Sequence, residues 1–232
     1  SFWSEKPQNP YTFKTLTVLM EEGILGDMLT TVVRNPKRPP PRISLKYLCD
    51  LAKGLIAVHN CNIIHARVKP SSMYLSGDNT AMLGELGKTE LDHARNTHQL
   101  YSKLLIGEAL PKTLGYWAPE LLRGEKYGKE IDLWALGVSI YQIVTGEHPF
   151  NIEDEDSFRD DAYTANVDLT RLEGHPRIAS VVQHLLVANP NDRWTAHEVL
   201  AHSQYSFAVE IQKCWRGYVV RKEYRRVINM VI

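Results

Sequence analysis

The chain has 232 residues, 44% hydrophobic and 23% charged, and its 27 Lys+Arg balance its 27 Asp+Glu, leaving no formal net charge. That length can bury a sizeable core as one large domain with or without an appendage, and the average composition speaks against disorder or a fibrous class. Balanced charge supplies no long-range field for a nucleic-acid backbone, so nucleic acid is not an expected partner.

Cys49, Cys61 and Cys214 are odd in number and widely spaced, which argues against a disulfide framework or a zinc site and for a reducing cytoplasm. No apolar run is long enough to cross a bilayer, no signal peptide opens the chain, and no N-x-[ST] acceptor occurs. The chain opens on Ser1, so the natural protein is expected to extend upstream.

Within Tyr11–Glu22 the run Thr-Leu-Thr-Val-Leu-Met predicts a strand, preceded by a short arm around Phe2 and Trp3. Pro36, Pro39, Pro40 and Pro41 mark a loop, and Ser44 is placed to cap a long helix ending near Asn60. Leu45, Leu48, Ala52, Leu55 and Ile56 form its buried stripe. Short strands are predicted at Asn62–His65, Met73–Leu75 and Ala81–Leu83, with a turn at Ser76-Gly77-Asp78-Asn79. Ile131–Val144 is apolar around most of its circumference, so it reads as a core helix closed by Gly146. Helices follow at Ile178–Val187 and Thr195–His202, broken by Asn189-Pro190. The acidic stretch Glu153–Asp161 lacks the spacing and glycine of a calcium loop and reads as a solvated surface loop, with no metal site.

The segment His65-Ala66-Arg67-Val68-Lys69-Pro70-Ser71-Ser72 resembles the catalytic loop of protein kinases, H-R-D-L-K-P-x-N. Gly84-Glu85-Leu86-Gly87 resembles their D-F-G, and Ala118-Pro119-Glu120 their A-P-E. Asp132-Leu133-Trp134-Ala135-Leu136-Gly137 resembles a further family motif, D-x-W-x-x-G. The resemblance spans about Phe2 to Tyr205 and implies the C-terminal lobe of a kinase fold. That lobe is mainly α with a few short β-strands, with most of the N-terminal lobe absent and Ile24–Thr31 as the first helix after the hinge at Glu21-Glu22-Gly23. It would occupy residues 1–205.

The resemblance also implies what the substitutions change. Arg67 stands where the family has its base, and a guanidinium stays protonated and has no acceptor lone pair. Ser72 replaces a magnesium-binding asparagine, and Glu85 replaces the metal-binding aspartate with one methylene too many for near-octahedral geometry. Lys69 is retained, but Arg67 beside it makes the local charge doubly positive. Ala66 replaces an arginine that contacts an activation-loop phosphate. On this reading the chain is expected not to be an enzyme, and ATP and magnesium binding are not expected. The structural positions are kept: Glu120 is implied to pair with Arg193, Asp132 to brace the catalytic-loop backbone, and His65, Trp134 and Gly137 to pack.

Beyond the lobe, Ile211-Gln212-Lys213-Cys214-Trp215-Arg216-Gly217-Tyr218-Val219-Val220-Arg221-Lys222-Glu223-Tyr224 matches the IQ pattern, I-Q-x-x-x-R-G-x-x-x-R and an aromatic. Ile211, Trp215, Tyr218, Val219 and Val220 give a predicted helix over 206–232 an apolar face, and Lys213, Arg216, Arg221, Lys222, Arg225 and Arg226 supply positive charge opposed only by Glu223. The IQ resemblance implies capture by calmodulin or a calmodulin-like EF-hand protein, with Gln212 and Gly217 as specifying positions and Tyr224 closing the motif. The other reading of this segment is a basic helix lying on its own domain or on a membrane surface.

Three functions stay open at this point. One is a non-catalytic pseudokinase scaffold in a larger cytoplasmic assembly of protein subunits, with the cytoskeleton as a candidate location. The others are a weakly active kinase using Glu85 and Lys69, and a nucleotide sensor.

Overall fold

The computed structural model describes residues 24–85, 114–152 and 154–203. The strand expected within Tyr11–Glu22, the arm at Phe2 and Trp3, the hinge at Glu21-Glu22-Gly23 and the IQ segment lie outside those residues. In chain order the elements are β1 (Ile24–Asp27), a π-helical turn (Leu29–Val33), α1 (Pro41–Asn60), β2 (Met73–Ser76) and β3 (Ala81–Leu83). There follow α2 (Pro119–Leu122), α3 (Glu130–Thr145), α4 (Glu155–Thr164), α5 (Pro176–Leu185) and α6 (196–203). Helices dominate, and the strands form one small antiparallel sheet of order β1-β2-β3. None of the described helices is long and apolar enough to cross a membrane.

The core is organised around α3. Every residue from Ile131 to Tyr141 is buried, as the uniformly apolar sequence requires of a helix with neighbours on all sides. Trp134, Leu136, Ile140 and Ile143 are fully inaccessible, and burying each such side chain contributes roughly 1.5–3 kcal/mol. Gly137 lets α5 approach: a Cβ there would lie 2.9 Å from Leu185 Cβ and 2.9 Å from Leu186 Cδ2. Gly146, at φ +81°, ends α3 in the left-handed conformation, its N–H donating to Gln142 O at 2.8 Å.

Around it, α1 buries Leu45, Leu48, Ala52 and Leu55 with Tyr47 and Leu51, while Ile56 is only partly buried. The helix starts three residues before the expected cap. Pro41 occupies its first turn, where a missing N–H costs nothing, and Ser44 lies inside the helix with its Oγ 3.3 Å from Pro40 O. The turn between β2 and β3 falls where its residues place it, with Asn79 at φ +66° and its N–H donating to Ser76 O at 2.9 Å.

Three further expectations are corrected. Residues 24–27 pair with β2 instead of starting a helix, and only one irregular turn follows. No strand forms over 62–65, because the His65 N–H is taken by the Asp132 carboxylate at 2.8 Å and not by a neighbouring strand. The acidic stretch is not a loop from end to end: Asp154 caps α4 by accepting from Ser157 N at 3.1 Å, and acidic side chains favour the positive end of a helix. Phe158 and Ala162 then bury one face of α4 against the core.

Candidate functional site

The site is assembled on a loop that leaves α1 and runs over the N-terminal half of α3. The end of α1 is fixed first. Lys129 Nζ donates to His59 O at 2.6 Å and to Asn62 Oδ1 at 3.0 Å, supplying cationic donors where the helix leaves its carbonyls unpaired. Asp132, almost inaccessible on the first turn of α3, then gathers the loop. Its Oδ2 accepts from His65 N at 2.8 Å and its Oδ1 from Ala66 N at 2.7 Å, while His59 Nε2 lies 2.8 Å from Oδ2. A buried carboxylate is tolerable only with such partners. Ala66 turns the chain at φ +57°, a conformation that costs a non-glycine residue about 1–2 kcal/mol and that the two bonds to Asp132 maintain.

His65 is buried, and its Nδ1 accepts from Arg67 N at 3.3 Å. Burial pushes its pKa down, against the pull of the Asp132 carboxylate. Val68 packs in the core, and Ser139 Oγ reaches Val68 O at 3.5 Å from α3.

Beyond this anchored stretch, three substituted positions meet. Ser72 Oγ donates to Glu85 Oε2 at 2.8 Å, and Arg67 Nη2 lies 3.4 Å from the same oxygen. Gly84 makes that geometry possible: its N–H donates to Ser72 O at 2.8 Å, and a Cβ there would collide with the Tyr74 ring. Glu85 follows at φ +61°, turned toward Ser72 and Arg67. Lys69 shares an open cleft with Arg67, walled by Tyr116, Trp117 and Asp132. Burial lowers the Lys69 pKa and the Arg67 charge lowers it further, with Glu85 opposing both.

The remaining structural positions converge farther along α3. Arg193 Nη1 donates to Glu120 Oε1 at 2.9 Å and Nη2 to Glu120 Oε2 at 3.1 Å, a two-pronged pair whose side chains are 0% and 2% exposed. The guanidinium also reaches Glu130 O at 2.7 Å and Val187 O at 3.0 Å, and lies 5.2 Å above the Trp134 ring. The chain ends of α2, α3 and α5 are thereby tied to one side chain.

The structure thus places Arg67, Lys69, Ser72 and Glu85 in one cluster, and Glu120, Trp134 and Arg193 in a second; His65 and Asp132 link the loop to α3, and Gly137 packs against the end of α5. His59 was not singled out from the sequence, although it sits six residues before His65 at the end of a predicted amphipathic helix. Lys129 was equally silent, since its role depends on where α1 ends. Ile211, Gln212, Trp215, Arg216, Gly217, Arg221 and Tyr224 lie outside the described residues.

Comparison with known proteins adds to this geometry. The family model of the protein kinase domain matches residues 8–205, and that of the IQ calmodulin-binding motif matches residues 206–225. Mitogen-activated protein kinase kinase kinase 17 of Arabidopsis thaliana is 28% identical over 193 residues, covering 80% of this chain and 48% of its own length. Serine/threonine-protein kinase DCLK3 of Homo sapiens is 27% identical over 226 residues, 89% of this chain and 33% of its own length. Aurora kinase of Schizosaccharomyces pombe is 29% identical over 192 residues, 82% of this chain and 50% of its own. The chain therefore spans half or less of the length of these relatives. All three are named as kinases, which overturns the expectation that the chain is not an enzyme. Arg67, Ser72 and Glu85 change the chemistry of the site, and their presence is no proof of inactivity.

Proposed function

Since the chain belongs to the protein kinase domain family, matched from residue 8 to residue 205, we propose that it is part of a serine/threonine-kinase-type protein that recruits a calmodulin-type EF-hand protein through Ile211–Tyr224. The lobe serves as the platform and the tail as the tether, within a larger cytoplasmic assembly. The observation that carries this reading is the IQ pattern, matched over residues 206–225 immediately after the kinase match. Its chemistry fits such a partner. Ile211, Trp215, Tyr218 and Val219 are apolar at helical spacing, and Lys213, Arg216, Arg221, Lys222, Arg225 and Arg226 are opposed only by Glu223 between Ile211 and Arg226. An acidic, methionine-lined groove recognises that combination.

Phosphoryl transfer at this site proceeds without a side-chain base, because Arg67 cannot accept a proton. Most of the acceleration in this chemistry comes from positioning and charge stabilisation; Asp132 still holds the loop backbone in place, while Ser72 and Glu85 alter the positions that would carry the charge. The missing base lowers the rate by about 10²- to 10⁴-fold relative to a kinase that has one.

Calorimetric titration of the full protein with calcium-loaded and with calcium-free calmodulin tests the tether. Binding in at least one form, abolished by Ile211→Glu with Arg216→Glu, is the expected result. Equal binding by that double variant would refute the assignment of the tail. The Arg67→Asp variant tests the catalytic half, and an unchanged or lower transfer rate would show that the base is not what limits it.

A further inference from the structure

One face of the lobe carries positive charge that neither the site nor the core uses. The loop entering α1, residues 34–42, contains Arg34, Lys37, Arg38 and Arg42, all exposed, and no acidic residue. Arg38 Nη1 donates to Val33 O at 2.7 Å and to Asn35 O at 3.0 Å, so the loop is held in one shape before any partner arrives. Where it enters α1, an open cavity of about 410 Å³ separates that helix from the start of α5. Pro41, Arg42 and Leu45 line one side, and His175, Pro176 and Arg177 the other. His175 Nε2 lies 3.4 Å from Pro39 O and fixes the spacing of the two walls. No carboxylate is among the described residues that line the cavity; Glu173 adjoins the wall in sequence without lining it. Arg42 and Arg177 also have contacts within the fold, so what they bring here is charge and not vacant donors.

The tail starts beside this face. Ser203, the last residue of α6, lies against Cys49 on α1. Cys49 is one turn from Leu45 of the cavity wall and two turns, about 10 Å, from Arg42 on the same side of the helix. His202 is pushed down in pKa first by burial, then by the charge of His184 and then by that of Arg177, which puts the other wall within electrostatic reach. Only residues 204–210 separate Ser203 from Ile211, and seven residues span at most about 25 Å. A protein clasping Ile211–Tyr224 is therefore held next to the cationic face. An EF-hand protein is rich in carboxylates, because its calcium loops are built from them. Once it is tethered, each further charge pair forms at high effective concentration, so pairs too weak to recruit a free protein still add to its retention. We propose that the face formed by Arg34, Lys37, Arg38, Arg42 and Arg177 is a second contact for the EF-hand protein carried on the tail, with the cavity receiving its acidic side chains. The inference deepens the tether reading and rests on it.

The test titrates the full protein with calmodulin by calorimetry at low ionic strength and at about 0.5 M salt, where exposed charges are largely screened. Lys37→Glu with Arg42→Glu should weaken binding tenfold or more at low salt and less than threefold at high salt. Lys37→Gln with Arg42→Gln, which removes the charge without reversing it, should fall between the parent and the reversal. Lys126→Glu, at the opposite end of α3 from Arg38 and Gly146, should stay within twofold of the parent. An acid at position 42 suits the first turn of α1, and denaturation midpoints within error of the parent would show that the variants fold. A reversal variant that binds like the parent, or an equal loss in Lys126→Glu, would overturn the proposal and leave the tether standing. Phosphatidylserine vesicles that pellet the parent but not the reversal variant, with calmodulin affinity unchanged, would overturn it in favour of a membrane. A parent protein that does not bind calmodulin would overturn both readings.

Discussion

Replacing Arg193 by methionine removes the donor of five hydrogen bonds, two to Glu120, two to Val187 O and one to Glu130 O. The Glu120 side chain is only 2% exposed, so its carboxylate is left buried without its counter-charge. Breaking a buried pair from one side costs about 3–5 kcal/mol, most of it the penalty of the stranded partner. In a domain of this size each kcal/mol moves the melting temperature by about 2–4 °C, which places the expected loss at about 6–20 °C. Replacing both partners, Glu120→Leu with Arg193→Met, removes the stranded charge, and the double variant should regain at least half of the loss. The two carbonyls that also lose their donor prevent full recovery. Urea unfolding followed by circular dichroism, with the two single variants and the double completing a cycle, measures each quantity. A single variant within about 1 kcal/mol of the parent, or a double variant as unstable as Arg193→Met, would refute the view that charge pairing holds α2 to α3.

Gly137→Ala should destabilise by about 1–3 kcal/mol, since the new methyl would press on Leu185 and Leu186 across packed helices; thermal melts decide this. Ala66→Gly relieves a left-handed alanine and should be neutral or stabilising by up to about 1 kcal/mol, measured the same way, whereas Ala66→Val should cost more than it. His148 carries a pH dependence. Burial holds its pKa down at about 4, with the backbone around Phe150 and Gly115 partly opposing. Below its ordinary value of about 6.5 the unfolded chain takes up a proton that the folded chain refuses, so stability falls as pH drops from about 6.5 to about 4. The loss from this group is up to about 3 kcal/mol. His148→Gln keeps a hydrogen-bond acceptor near Phe150 N and should flatten the curve over that window in urea titrations at pH 7, 5.5 and 4.5.

The parts of this molecule legible in its sequence are those where one physical requirement acts alone. The span of α3 follows from apolar residues around the whole circumference with Gly146 after them, and the β2–β3 turn follows from Ser76 to Asn79. Where two requirements compete, the sequence misleads. Proline excludes helix interiors but favours first turns, so Pro41 opens α1 and Ser44 falls inside it. Acidic residues suit both solvated loops and helix starts, and Phe158 with Ala162 decides for the helix because they have a core to cover. At the site, the substituted residues are visible in the sequence. That Arg67, Ser72 and Glu85 contact one another is not, because it depends on the turns at Ala66 and Glu85 and on the space left by Gly84.

The most direct test is whether the tail holds an EF-hand protein. The full protein and its Ile211→Glu, Arg216→Glu variant should be mixed with calmodulin, with calcium and with chelator, and weighed by light scattering after size exclusion. A complex heavier than the protein alone by one calmodulin, present in at least one condition and lost in the variant, is the result predicted. A parent protein that elutes at its own mass in both conditions would contradict the account.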